Sequence, residues 1–497
     1  MSAAPASVDA ANQASLVENQ GSGSGGPASP SGSGTVTPSG TRGEALRRDP
    51  RVIEAKRLIR EALGEHAGEL NDVCPAQTRQ ATTQTDLIDR FTAVRGGPPL
   101  WPYFAAGIGN GPFVELADGS VKLDFIGGIG VHGGGHSHPD LVEAAIDGAL
   151  EDTVMQGNLQ QHPLSVEFME LLVDMACRGG ANLRRILLST SGAMANENAL
   201  KIALHHRSPA DRIIAFDNAF AGRSLALAAL TDRAKYRAGL PLTLDVDYLP
   251  FRDPDHPGRS TRWAVDELRR LLDRHPGRYA AFWAEPIAGE GGYYAGSHDF
   301  FAALAEPLRE HRVPIIYDEV QSFGRTAHPF AFQHYRLDEF ADIVTVGKIT
   351  QVCATLWRPE LQPTGPILSQ TFTGGSSAMS AGLAMLRCMD RSAFGEGGAN
   401  RRLGTYFRDR LGELASRHPS RIRGPFGEEM MIAFTPDDGS FDAAKSMMDR
   451  LYEVGLLAFV CGDAPTRLRF LPPPLATTEA HIDRAVEILE GVLVSER

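Results

Sequence analysis

The sequence predicts an α/β fold, with a large domain on a mostly parallel sheet covered by helices on both faces, and a smaller α+β lobe. Three observations carry this expectation. From about residue 160, the short apolar runs RRILLST, RIIAFD, YAAFWAEP, VPIIYDE and DIVTVG are separated by helix-length segments, the pattern of parallel strands joined by crossover helices. After about residue 390 the texture changes to helical patterns and a hairpin around EEMMIAFTPDDGS. Polar residues also gather at the ends of the apolar runs, where open α/β sheets bind ligands.

Taken in order, residues 1–48 are expected to be a tail. Up to residue 40 only Asp9 and Glu18 are charged among Ala, Ser, Gly and Pro, a composition that cannot bury a core. The GSGSGG within it has no strand before it and no helix after it, so it is no phosphate loop. Asp49 can cap a helix and Pro50 can occupy its first turn. Val52, Ala55, Leu58, Ile59, Ala62 and Leu63 then recur at helical spacing, predicting an amphipathic helix over 51–70. Residues 49–160 are assigned to the small domain and an interface arm, 161–388 to the large domain, and 389–497 to the rest of the small domain. The chain closes on a helix bearing Ile482, Ala485, Val486, Leu489 and Leu493.

Composition narrows the classes of function. With 497 residues, 42% hydrophobic and 22% charged, the chain can bury a large core. Lys and Arg number 49 against 61 Asp and Glu, a net charge of −12 without a basic block. This argues against nucleic acid or a membrane surface as partner, and an anionic small substrate would need a local pocket of Arg. The five cysteines are scattered, with no CxxC pair, which argues for a reducing compartment and against structural zinc. No stretch of about 18 apolar residues occurs and no leader pattern is seen, so the expected location is cytoplasmic.

Four strand ends carry candidate chemistry. RRILLST runs through Ser191 and Gly192 directly into a helix, where free N–H groups beside the small residues Gly192 and Ala193 suit a phosphate; a plain strand-to-helix turn is the alternative. VPIIYDEV ends in Asp318 and Glu319, either a helix cap or a partner for a cationic ring nitrogen or a metal. AAFWAEPIAGEGG places Glu285 and Glu290 on a strand end and a Gly-rich loop, with no spacing that fixes a glycosidase pair. Finally, Lys348 is the only charged residue from Ile343 to Trp357. Burial lowers a lysine's pKa and prepares it to attack a carbonyl, unless it snorkels out of a strand edge. Together, a phosphate cradle, an acid for a ring nitrogen and a buried lysine are what pyridoxal phosphate requires.

These motifs resemble the class III (ω-)aminotransferases of PLP fold type I, the aspartate-aminotransferase fold. The resemblance runs from about Leu123 to the C-terminus through LDFIGGIGVHGGGHSHPDLVEAA, STSGAMANENALKIA, NAFAGRSLALAALT, AEPIAGEGG, IIYDEVQSFGRT and DIVTVGK. It implies that Lys348 is the Schiff-base lysine and Asp318 the partner of the pyridine nitrogen. Gln321 is implied near the ring's phenolic oxygen, Val320 and Phe220 on the two ring faces, and Glu285 among the cofactor-binding residues. Gly192 and Ala193 would hold the phosphate, and Thr371 would reach the phosphate of the partner subunit, which implies a homodimer. Arg469 matches the arginine for a substrate carboxylate, Glu290 the glutamate that pairs with it and releases it, and Arg223 is a second carboxylate candidate.

The resemblance implies a ping-pong transfer of a terminal amine, from an amino acid such as lysine to an oxo acid such as 2-oxoglutarate. GKITQVC and the GRS after the stacking Phe are similar to the lysine 6-aminotransferase branch. Ala221 stands where the family usually has His, Ser376 where Asn or Pro is expected, and LWRPELQPTG is unlike that branch. Acetylornithine, ornithine and 4-aminobutyrate remain alternative donors, and an aminomutase or racemase on the same fold remains an alternative reaction. The histidines of HGGGHSH, 132, 136 and 138, have a Gly-rich spacing that suits fixed metal ligation poorly. Tyr103 and Phe104 are either donor-pocket residues or ordinary core aromatics.

Overall fold

A computed structural model describes residues 41–77, 81–151, 154–156 and 159–495. Its centre is a seven-stranded sheet, ordered Arg185–Ser189, Cys353–Trp357, Ile343–Val346, Ile315–Glu319, Tyr279–Ala284, Arg212–Phe216, Asp245–Leu249. All neighbours run parallel except Cys353–Trp357, which is antiparallel to both of its partners. The five apolar runs of the sequence are five of these strands. The other two escape a hydrophobic reading for different reasons. Asp245–Leu249 is an edge strand whose Asp245 and Asp247 pair with Arg212 at 3.0 and 2.8 Å, as edges that resist further pairing often do. Cys353–Trp357 follows Ile343–Val346 after a reversal so short that the two merge into one apolar stretch.

That reversal positions the lysine. Lys348–Thr350 forms one 3-10 turn, with Lys348 at φ +52° and Gln351 at φ +63°, left-handed values that cost energy for residues with a Cβ. A Cβ on Gly347 would stand 2.9 Å from Cys353 Sγ and 3.1 Å from Val320 Cγ1, so glycine is needed just before the lysine.

The C-terminal lobe has a four-stranded antiparallel sheet, ordered Ile422–Glu428, Met431–Pro436, Thr466–Phe470, Phe459–Gly462. The hairpin expected near EEMMIAFTPDDGS turns at Glu429. Helices Ala399–Arg417, Phe441–Val454 and Glu479–Val494 pack with this sheet, and Phe113, Val121, Leu123 and Phe125 from the N-terminal segment join the same apolar core. Ile482, Ala485, Val486, Leu489 and Leu493 are all buried on the closing helix.

Two sequence expectations change. The predicted tail does not extend to residue 48, because Arg42–Arg47 is helical with Thr41 and Glu44 forming a capping box; residues 1–40 lie outside the described residues. The helix expected over 51–70 is Pro50–Gly68, with Asp49 Oδ1 accepting from Arg51 N at 2.9 Å. Its apolar stripe, however, is not buried in the single chain: Leu58 is 51% and Ile59 44% exposed, and only Ala67 is buried.

Arg325, from IIYDEVQSFGRT, is fully buried. Its Nη1 donates to Pro472 O at 2.6 Å and its Nη2 to Gly130 O at 3.0 Å, tying the Gly-rich Gly127–Gly130 loop to the C-terminal lobe. Replacing Arg325 by Ala leaves two buried carbonyls without donors and a cavity, at a cost of about 3 kcal/mol. The expected outcome is a clear fall in the denaturant midpoint of unfolding, whereas an unchanged midpoint would show that the tie is not structural.

Candidate active site

Lys348, Asp318, Gly192 and Phe220 come from four separate segments and line one cavity of about 410 Å³ at the carboxyl edge of the sheet. Lys348 is largely enclosed. Burial lowers its ammonium pKa, opposed chiefly by the Asp318 carboxylate, so the amine loses its proton more readily than a surface lysine.

Asp318 owes its place to strand register. Ile315–Glu319 pairs in parallel with Ile343–Val346, setting Asp318 beside Thr345. Asp318 Oδ2 accepts from Asn196 Nδ2 at 2.6 Å, and Oδ1 accepts from Val320 N at 2.9 Å and from Thr345 Oγ1 at 3.4 Å. Thr345 Oγ1 also donates to Asn196 Oδ1 at 2.7 Å, and Asn196 Nδ2 donates to Ala221 O at 2.8 Å, which fixes the orientation of the amide. Burial nonetheless pushes the Asp318 carboxyl up to about 6: the carboxylate is well held by neutral donors but calls for a cation. Glu319, one residue on, points to the other side, as strand alternation requires. It accepts from Ala331 N at 3.0 Å and Phe332 N at 2.7 Å, so of the two readings open for this acidic pair, Asp318 faces the cavity and Glu319 caps a helix.

Helix Gly192–His206 starts at the cavity. Ser191 Oγ accepts from Met194 N at 3.2 Å, while the first-turn N–H groups at Gly192 and Ala193 have no partner within the helix. A Cβ on Gly192 would lie 2.7 Å from Val320 Cγ1, so only glycine lets the helix start approach this closely. Phe220 and Val320 contribute apolar walls. Glu285 joins the two loops behind Phe220, its Oε1 accepting from Phe220 N at 3.2 Å and its Oε2 from Gly289 N at 2.9 Å. Burial, with Asp318 nearby, raises its pKa to about 8.

On the substrate side, Arg469 is 0% exposed. Its Nη2 lies 2.6 Å from Glu290 Oε1, and its Nη1 donates to Gln321 Oε1 at 3.3 Å. Burial penalises the guanidinium charge, the Glu290 carboxylate restores it, and the pKa ends above the ordinary value. Arg223 lines the cavity mouth with its guanidinium 3.5 Å from the centre of the Tyr236 ring.

Not every expected residue gathers here. Thr371 is exposed and does not line the cavity of its own chain. Tyr103 stacks on Tyr452 and Phe104 lies edge-on to Phe91, and neither lines the cavity. His136 is bonded to Asp124 Oδ2 at 2.9 Å and stacks near His132, and His138 precedes helix Pro139–Ala149. Sequence reasoning missed Asn196, Thr345 and Gln351. Asn196 carried a readable signal, a polar residue one helical turn after Gly192 among Ala195, Ala199 and Leu200. Gln351 lines the cavity and its Nε2 donates to Val131 O at 3.1 Å.

The donor set fits pyridoxal 5'-phosphate: an anion-accepting helix start that a Cβ would fill, a buried carboxylate short of a cation, and a lysine of lowered pKa between two apolar walls. Fold and site thus suit an enzyme that holds an aldehyde-bearing, phosphorylated ring. A family model described as aminotransferase class-III matches residues 101–493. An acetylornithine aminotransferase of Methanocaldococcus jannaschii is 31% identical over 400 residues, spanning 77% of this chain and 92% of that one. A [LysW]-aminoadipate semialdehyde transaminase of Deinococcus radiodurans is 30% identical, spanning 78% and 85%. Among solved structures, a lysine aminotransferase from M. tuberculosis superposes with a TM-score of 0.72 at 25% identity, over 82% of this chain and 99% of that one. The chain belongs to the class-III aminotransferase family.

Two outcomes follow from the Asp318 network. Asn196→Ala removes the donor at 2.6 Å from a buried carboxylate, and the affinity for pyridoxal phosphate should fall about tenfold, read by spectroscopic titration. In the cofactor-free chain, Asp318, Glu319 and Glu285 keep their protons up to about 6, 7 and 8 because they are buried. These three groups therefore bind more protons in the folded chain than in the unfolded one over this window, and their contribution to stability falls as pH rises from about 4 to about 8, against the opposite contribution of His132, His138, His328 and His481, which desolvation shifts down. Glu285→Gln should flatten the upper part of that fall in denaturant midpoints.

Proposed function

We propose that this chain is a pyridoxal-phosphate-dependent aminotransferase that moves a terminal amine of an amino acid to an oxo acid, 2-oxoglutarate being the expected acceptor, by a ping-pong route. The observation that carries the reading is the 2.6 Å ion pair between buried Arg469 and Glu290, which lines the cavity together with Lys348. With Glu290 in place Arg469 is neutralised, and the cavity accepts the methylene chain and amine of a donor. When a dicarboxylate oxo acid enters, Glu290 swings away and the guanidinium takes the carboxylate in two parallel hydrogen bonds. Relatives named for acetylornithine, aminoadipate semialdehyde and lysine support a donor with its reacting amine at the chain end.

Bound pyridoxal phosphate supplies an electron sink that acidifies the carbon bearing the transferred amine. The chain's own residues do the rest. Gly192 and Ala193 would hold the phosphate at the helix start, Asp318 would keep the ring nitrogen protonated, and Phe220, Val320 and Gln321 would complete the cofactor's walls. Lys348 Nζ, its ammonium pKa lowered by burial, would act as the base that takes the proton from the substrate carbon, the proton being held on Nζ until it is returned to carbon.

The reading includes a homodimer acting in the cytoplasm. Thr371, exposed in its own chain, serves the partner subunit's phosphate site, and the exposed stripe of Leu58 and Ile59 on Pro50–Gly68 seeks cover. Five free cysteines suit a reducing compartment.

Donor added without acceptor should convert the bound cofactor to its aminated form in one turnover, an outcome that an obligate racemase does not give. Lys348→Ala should abolish both this conversion and the borohydride-stable link to the protein. Glu290→Gln should slow the donor half-reaction about tenfold or more and spare the 2-oxoglutarate half-reaction. Equal slowing of both halves would sink the switch.

A further inference from the structure

Two strained pieces of backbone meet beside Lys348. The first is Gly127–Gly130, where Gly127, Gly128, Ile129 and Gly130 take φ of 52°, 63°, 62° and 81°. This left-handed turn is closed by Gly130 N donating to Ile126 O at 2.8 Å and Val131 N donating to Gly127 O at 2.7 Å. It costs energy at Ile129, whose side chain branches at Cβ. The second is the reversal after the lysine. Val352 N donates to Thr350 O at 2.7 Å across Gln351, which has φ 63° and ψ −36°, a γ-turn of the rare and strained hand. Glycine would take up that conformation at less cost, yet position 351 carries glutamine.

The side chain accounts for the choice. Gln351 Nε2 donates to Val131 O at 3.1 Å and to Lys348 O at 3.3 Å, with Ile349 O at 3.5 Å. All three partners are carbonyls, so the nitrogen of the amide must face them and the oxygen cannot. One side chain therefore bonds both the exit of the left-handed turn and the carbonyl of the lysine itself. The two segments are already close: a Cβ on Gly130 would lie 3.8 Å from Lys348 Cδ, so the turn runs beside the lysine's methylene chain. Val131 and Gln351 both line the cavity. Arg325 holds the preceding carbonyl, Gly130 O, to the C-terminal lobe, while Gln351 joins the turn to the lysine segment.

We infer that Gln351 is a positioning residue for Lys348, its amide pinning the lysine's backbone to the Gly127–Val131 turn so that the side chain keeps one line of approach while its nitrogen carries the proton. The inference rests on the reading of Lys348 as the proton-carrying base. It sets stability against rate. Glycine at this position would relax the γ-turn and release the lysine, so the strain is retained because the amide that comes with it holds the reacting group.

Two variants separate these effects: Gln351→Gly removes the amide and the strain together, and Gln351→Ala removes the amide and keeps the strain. In the cofactor-free chain the melting midpoint of Gln351→Gly should equal or exceed the parent's, and that of Gln351→Ala should fall below it. Hydrogen exchange at the Gly130 and Val131 amides, followed in the same cofactor-free chains, should quicken about tenfold in both variants. With cofactor loaded, single-turnover amination by saturating lysine, ornithine or their Nα-acetyl forms should slow about tenfold in both, with the half-saturating donor concentration unchanged. Rates that instead follow the midpoints, Gln351→Gly matching the parent and Gln351→Ala alone slowed, overturn the inference, and so does unchanged exchange at Gly130 and Val131. A parent enzyme that is aminated by none of the four donors overturns the terminal-amine reading instead, while the exchange rates still decide the tie.

Discussion

The site depends on one piece of strand pairing: Ile315–Glu319 lies parallel to Ile343–Val346 with Asp318 opposite Thr345. That register brings Asp318, whose charge burial opposes, within reach of Thr345 and Asn196, and it leaves Lys348 two residues beyond the end of the neighbouring strand. A slip of one residue would turn Glu319 into the cavity and send Asp318 toward the helix that Glu319 now caps, since side chains alternate along a strand. The helix start at Gly192, the bulk of Val320 and the glycine at 347 are all fitted to that single alignment.

The cavity accumulates groups that burial discourages from being charged. Asp318, Glu285 and Lys348 all lie in or beside it, and burial is the largest cause of shift for each. Such a cluster costs stability in the cofactor-free chain and is a form of preorganisation: the groups already stand where a cationic ring nitrogen and a carbonyl carbon would be met. The protein holds them in place with short bonds from neutral donors, Asn196 above all, without neutralising them in advance.

Much of this was legible in the sequence, and the exceptions have physical reasons. Lone polar residues ending apolar runs announced Asp318 and Lys348, and Gly192 was visible at a strand-to-helix junction. Asn196 and Thr345 were not singled out, because a buried side-chain amide or hydroxyl looks like any surface polar residue until its partners are known. The strand Cys353–Trp357 hid because its antiparallel return takes only the tight turn at Lys348–Gln351. The Pro50–Gly68 helix shows the opposite error: its periodicity was read correctly, but periodicity says that a face is apolar and not what will cover it.

Arg325 constrains how such a site can move. Its guanidinium fastens the Gly127–Gly130 loop to Pro472, three residues after Arg469, so the loop that leads to Val131 at the cavity is tied to the segment following the Arg469 strand. In the proposed reading, alternation between two dissimilar substrates falls to the rotation of single side chains such as Glu290. On that same reading, turnover paced by proton transfer at Lys348 should be nearly untouched by the viscosity of the medium, which slows lids and ligand exchange alike.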